Sequence, residues 1–171
     1  MEIRIRDRVA GDVPALLPVL DEVHRLDRYP LNRPADPVRW LVPPTAVRGW
    51  VAETAGGVVV GHVAVHEPAA VPGPLDVSRL LVSPGARGQD LGARLLDRAR
   101  RWAAAHGRDH ALDVVEDARS APALALYERT GWHHAGTTTA PWTGPDESPV
   151  RLRHYLLPTR RIPGAATPGR P

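Results

Sequence analysis

Residues 87–93, Arg87-Gly88-Gln89-Asp90-Leu91-Gly92-Ala93, place two glycines among polar side chains directly after the apolar run Leu75–Val82. The segment that follows is amphipathic. Leu91, Leu95, Leu96, Ala99, Trp102 and Ala103 fall on one side of a helix, and Arg94, Asp97, Arg98, Arg100 and Arg101 on the other. A strand that turns through glycine into a helix aims several unpaired N–H groups at one point, where the helix dipole also favours anions. The chemistry this predicts is phosphate binding by main-chain amides. Neither Gly-Lys-Ser/Thr nor Gly-x-Gly-x-x-Gly is present, so the familiar nucleotide signatures do not account for the loop. A second stretch, residues 120–132, sets Ser120 at a helix start, Tyr127 seven residues on, and Gly131 as the stop before Trp132. A phenol placed there can act as an acid.

These segments need a framework to bring them together. Met1–Asp7 alternates Ile3 and Ile5 with Glu2, Arg4 and Arg6, the period of a half-buried strand. Asp12 can cap a helix whose Leu16, Leu17, Leu20, Val23 and Leu26 recur at helical spacing; Pro14 suits its first turn, and Pro18 predicts a late start or a kink. Tyr29–Pro44 carries five prolines and reads as a loop with one short helical piece, Asp36–Leu41. Trp50–Glu53 and Val58–His66 flank Ala55-Gly56-Gly57 and predict a β-hairpin. After the loop 67–74, the pattern predicts a strand over Leu75–Val82 and a helix to about His106, ended by Gly107. A strand over Ala111–Val115, a helix over Pro122–Thr130 and strands over Trp132–Thr139 and Val150–Leu157 complete a mixed α+β order. Residues 158–171 are too poor in apolar groups to offset ordering entropy, which predicts one domain over 1–157 and a flexible tail.

Composition removes several classes. A chain of 171 residues suits a single core. No stretch approaches the ~18 apolar residues of a bilayer span, and the start lacks the apolar core of a signal peptide, so a cytoplasmic protein without a membrane partner is expected. The absence of Cys excludes disulfides, thiolate catalysis and Cys-ligated metals. His62 and His66 lie on one strand face, roughly 13 Å apart, too far for one metal, and His133 and His134 point to opposite faces. No metal site is expected. All 22 basic residues are Arg and the net charge is only +3, an excess that suits a polyanionic small molecule. A nucleic-acid partner is not expected. That rival would rest on Arg98, Arg100 and Arg101 alone.

The two chemical segments resemble the signatures of the GNAT superfamily of acetyl-CoA-dependent N-acetyltransferases. The family's pyrophosphate motif, Gln/Arg-x-x-Gly-x-Gly/Ala, is met at Arg87 and Gly92, with Asp90 where the family usually has Gly. Its second motif, Asn-x-x-Ala-x-x-Leu-Tyr-x-x-x-Gly-Phe, is met at Ala123, Leu126, Tyr127 and Gly131, with Ser120 for Asn and Trp132 for Phe. The likeness runs in order and spacing from about Trp50 to Leu157. It implies a mixed, mostly antiparallel central sheet flanked by helices and splayed between the strand ending at Val82 and the strand Ala111–Val115. It also implies acetyl-CoA in that gap as co-substrate, without a metal. Backbone groups of Leu80, Leu81 and Val82 would meet the pantetheine arm. Arg87 and the N–H groups of Gly88, Gln89, Asp90, Leu91, Gly92 and Ala93 would surround the pyrophosphate, with Ser120 nearby. The Asp90 carboxylate then either points away or weakens the hold on the coenzyme.

The reaction this resemblance implies is direct attack of a neutral amine on the thioester. Tyr127 would be the acid for the departing thiolate. Asp113, where family members often carry an acidic residue, is the first choice of base, with Glu116 and Glu67 as rivals. The acceptor is expected to be a small-molecule amine or a peptide N-terminus, and the resemblance admits a homodimer. Its pocket falls to the loops 29–45, 67–74 and 139–149, which include Trp40, Trp142, Asp146 and Glu147. The alternative class is a non-catalytic CoA-binding sensor, favoured by Asp90 and Ser120 and disfavoured by Tyr127.

Overall fold

A computed structural model describes residues 1–70 and 72–159. Its seven strands are β1 (Ile3–Asp7), β2 (Ala46–Thr54), β3 (Val59–His66), β4 (Leu75–Val82), β5 (His110–Val115), β6 (His133–Thr143) and β7 (Pro149–Leu157). They form one mixed sheet in the order β1-β2-β3-β4-β5-β7-β6. Every neighbouring pair is antiparallel except β4 and β5. The helices are α1 (Val13–Asp27), α2 (Pro37–Leu41), α3 (Leu91–Ala105) and α4 (Ala121–Arg129).

Strand alternation gives the sheet two apolar faces. On one, Trp50, Val63, Val65, Leu75, Val77, Leu112, Val114 and Tyr155 pack under Leu91, Leu95 and Ala99 of α3, with Leu124, Leu126 and Tyr127 of α4 against the same cluster. On the other, Val51, Val59 and Leu81 pack under Leu16, Leu20 and Val23 of α1, with Leu41 of α2. Leu75 and Val77 face α3, yet Leu81 faces α1, so the parity of β4 changes between them. Arg79, at φ 56°, makes that change: the β3 register steps from His62↔Leu81 to Ala64↔Ser78, leaving Arg79 and Leu80 opposite a single residue.

Several expectations are refined. Pro18 neither delays nor interrupts α1, which runs unbroken from Val13. Its missing N–H orphans only the carbonyl of Pro14, and both prolines are exposed, so that carbonyl is on the side open to solvent. β2 begins four residues earlier than expected, at Ala46, and β6 extends to Thr143, leaving a shorter loop before β7. Residues 160–171 of the expected tail lie outside the described residues. Of the rest, Thr159 donates its N–H to Asp109 Oδ1 at 2.7 Å.

Candidate active site

β4 and β5 pair only at Leu75↔His110 and Asp76↔Ala111. Beyond those pairs the sheet opens. Ser83 N–H reaches Val60 O at 2.8 Å, which makes Val82 and Gly61 a non-hydrogen-bonded pair in the β3/β4 ladder. Peptide alternation then turns Val82 N–H and C=O, together with Leu80 C=O, toward the gap. Leu81 directs its backbone to His62 instead and buries its side chain under α1. The gap thus has an unpaired main-chain edge of the kind an extended ligand can complete as an extra strand.

The phosphate-type loop closes one end of this gap. The first intrahelical bond of α3 is Arg94 N–H to Asp90 O (3.0 Å), so Leu91, Gly92 and Ala93 keep unbonded N–H groups. Among the described residues no acceptor meets the N–H groups of Gly88, Gln89 or Asp90 either. Gly88 has φ 82° and Asp90 φ 54°, so the loop uses two left-handed residues to gather these amides. Asp is among the few non-glycine types that tolerate this conformation, which explains how it stands where the family prefers Gly. The Asp90 carboxylate is turned to Arg129, at the end of α4, at 2.7 Å. Gly92 sits close under α4: a Cβ there would lie 3.0 Å from Leu126 Cδ2, tighter than an ordinary contact. Arg87 pairs with Asp27, the last residue of α1. Ser120 precedes α4 and makes no side-chain capping bond. The donor set fits a polyphosphate.

Tyr127 projects from α4 into the α3-side cluster, edge-on to Trp132 at 6.1 Å between centroids and 6.1 Å from Tyr155. Burial pushes its phenol pKa up, and Tyr29, from the loop after α1 on the opposite face, raises it further. Among the described residues no acceptor holds the Tyr127 hydroxyl, and a phenol that keeps its proton at neutral pH can only donate to a developing anion.

Asp113 alternates with the α3-facing Leu112 and Val114, so it lies on the α1 and α2 face. Its Oδ1 accepts from His154 Nδ1 at 2.6 Å, and His154 Nε2 lies 2.7 Å from Thr138 Oγ1. This hydrogen-bonded row across β5, β7 and β6 had no signal in the sequence, because the three residues come from separate segments. The rival carboxylates are engaged: Glu67 with Arg108 at 3.1 Å, Glu116 with Arg151 at 3.4 Å. On the same face Arg79 Nε donates to Trp40 O at 2.8 Å, and its Cζ lies 4.4 Å from the Trp40 ring centroid. A break in alternation, Leu80-Leu81-Val82 after Leu75-x-Val77, was the available clue to Arg79 and its bulge.

The β3 histidines are interior groups, whereas His133 and His134 are exposed on β6. His62 is fully buried, with Nδ1 2.9 Å from Arg79 O and Nε2 3.0 Å from Arg8 Nη1. A carbonyl only accepts and a guanidinium only donates, so the proton is on Nδ1 and the ring is neutral. His66 is buried beside Arg79, with Nε2 unpartnered. Among the described residues, no group of three or more His, Cys, Asp and Glu gathers as ligands for a metal ion. No helix among them is long and apolar enough to cross a membrane. Arg98 pairs with Asp7 at 3.6 Å, and Arg100 and Arg101 with Asp97, so the arginines of the nucleic-acid rival are matched by carboxylates.

Comparison with known proteins bears on this arrangement. No curated protein matches the sequence. Among solved structures, the ribosomal-protein-S18-alanine N-acetyltransferase from Escherichia coli is similar at TM-score 0.74 and 17% identity, over 97% of this chain and 99% of that one. An N-acetyltransferase from Staphylococcus aureus Mu50 is similar at TM-score 0.77 and 19% identity, over 94% of this chain and 100% of that one. yncA of Salmonella typhimurium, solved with its cofactor acetyl-CoA, has TM-score 0.72 and 19% identity, over 97% and 100%. These likenesses show the fold. The sequence model of the acetyltransferase (GNAT) domain matches residues 46–134, more than half of the chain and the whole segment from β2 through α4. With the opened β4/β5 pair and the amide-lined turn inside that match, the chain belongs to the GNAT acetyltransferase family and is an acyltransferase.

Proposed function

We propose that this acetyltransferase moves the acetyl group of acetyl-CoA to an amine by direct attack, with Tyr127 as the general acid. The observation that carries the reading is the unpaired edge at Val82 leading to a turn with unbonded amides from Gly88 to Ala93. A pantetheine arm ending in a pyrophosphate has matching chemistry. yncA, similar in fold, holds acetyl-CoA as its cofactor. When bound, acetyl-CoA supplies an acetyl group activated on sulfur.

The chain's own residues divide the remaining work. The amides of Gly88–Ala93 hold the phosphate charge at the positive end of α3. Asp113, held by His154, takes a proton from the incoming ammonium, so that a neutral nitrogen forms the new C–N bond. As the C–S bond breaks, Tyr127 gives its proton to the sulfur and later regains one from solvent. This activity belongs to the cytoplasm, where its coenzyme is supplied.

The test is thiol release from acetyl-CoA across a panel of amines. Tyr127→Phe is expected to lower kcat by about 10²- to 10⁴-fold while coenzyme affinity stays within about twofold. An unchanged kcat removes the acid role. Thermal stabilisation by acetyl-CoA without thiol release from any amine leaves a coenzyme-binding sensor as the better reading.

A further inference from the structure

The acceptor side of the gap carries a cation that the fold does not neutralise. Arg79 sits on the β4 bulge at φ 56°, a region that a non-glycine residue occupies only where its surroundings over-determine it. Its Nε bond to Trp40 O and its stacking on the Trp40 ring fix the plane of the guanidinium. Tyr29 braces Trp40 edge-on at 6.0 Å. The Nη pair is left over, its one contact among the described residues being Nη1 with Ser78 Oγ at 3.4 Å. Burial lowers the pKa of Arg79, Tyr29 alone offsets the shift, and no carboxylate among the described residues forms an ion pair with it. A positioned, partly desolvated guanidinium with free Nη groups is a receptor for a planar oxyanion.

The other lip of the gap has the opposite sign. That lip carries Asp113 of β5 on the α1 and α2 face; Asp76, on β4 at the closed end of the gap, has its pKa raised by burial first and by Asp113 second. The strands are in register at Asp76↔Ala111, so Arg79 lies three residues and Asp113 two residues past that pair. Their offset along the strands is about 3.3 Å, and the lateral spacing starts at ~4.8 Å and widens with the opening. Arg79 on β4 and Asp113 on β5 thus stand on opposite sides of the opening.

We infer that the acceptor is a small zwitterion, an amine carrying a carboxylate or similar oxyanion on a short spacer, with Arg79 binding the anion and Asp113 receiving the ammonium. The inference rests on the acetyl-transfer reading and narrows its substrate class. A peptide N-terminus has an amide where this site offers a guanidinium, and would leave Arg79 unpaired.

The test compares matched acceptors, an amino acid, its carboxamide and the decarboxylated amine, by thiol release from acetyl-CoA. The amino acid is expected to be favoured by about 10- to 100-fold in kcat/KM, the range of a charge-assisted pair. Arg79→Gln should erase that preference by raising KM for the amino acid alone, and Arg79→Lys should restore part of it. Equal use of acid and amide by the natural chain overturns the inference, as does an equal loss for both in Arg79→Gln, which would make Arg79 a prop for α2. A trimethylated amino acid, which cannot accept an acetyl group, separates the two readings by calorimetry. If no amine releases thiol, the transfer reading falls, yet this analogue must still bind the natural chain and lose affinity in Arg79→Gln. Failure to bind, or binding unchanged in the variant, removes the anion site whether or not transfer occurs.

Discussion

At the scale of single residues, the proposed coenzyme site makes Asp90 and Arg129 the pair that sets how much negative charge the phosphates would meet. Their ion pair turns the carboxylate toward a cation at the end of α4. Arg129→Ala should therefore weaken coenzyme A binding at low salt by about 2- to 5-fold, because both partners are more than half exposed and screening keeps the effect small. Asp90→Gly in the same background should restore affinity, since glycine adopts the left-handed conformation freely and brings no charge. Titration calorimetry at two salt concentrations checks both statements. The pairing also weakens the sensor alternative, which leaned on an unneutralised Asp90.

At the scale of elements, two left-handed residues shape the site from opposite ends: Gly88 before α3 and Arg79 within β4. A Cβ at Gly88 would touch nothing within 4 Å, so the penalty of Gly88→Ala is backbone strain alone. That substitution is expected to lower stability by about 1–2 kcal/mol, read from the urea midpoint, and to loosen coenzyme binding as the amides lose their common focus. α1 makes the complementary point. A proline in its interior is tolerated because Pro14 and Pro18 share the outer face, which is open to solvent.

At the scale of the whole molecule, buried histidines make the fold sensitive to mild acid. Burial, first among the causes, lowers the pKa of His62 from 6.5 to about 3 and of His66 and His110 to about 4. The folded chain keeps these rings neutral while the unfolded chain protonates them near 6.5. Their contribution is fully present above that value and is lost as pH falls from about 6.5 toward 4. Each ring adds a slope of up to about 1.4 kcal/mol per pH unit in that window. A second loss follows at lower pH. Arg6, then Arg4, hold Glu53 at about 2 against an ordinary 4.5, and Arg6 likewise depresses Asp12, so these bridges persist until pH drops from 4.5 toward 2. Urea midpoints between pH 7 and 4 should fall well before carboxylates titrate. His110→Phe, which keeps the stacking on Trp132, should reduce the slope by one proton's worth.

Periodicity and turn chemistry settle the elements because they are local. An apolar run specifies β4, helical spacing specifies α3, and the glycines at 88 and 107 mark their turns, so the α+β order and the phosphate-type loop were legible in the chain. The motif around Tyr127 was legible for the same reason: its spacing lies within one helix and its stop. Contacts between distant segments were not. Asp113 with His154 and Thr138, Asp90 with Arg129, and Arg79 with Trp40 join residues 16 to 41 positions apart. Local pattern gives a side chain its face on an element, but its partner is chosen when β4 and β5 diverge and helices close over both faces. The sheet's opening belongs to this second kind, since it arises from where pairing stops after Asp76↔Ala111, which no stretch of β4 or β5 encodes alone.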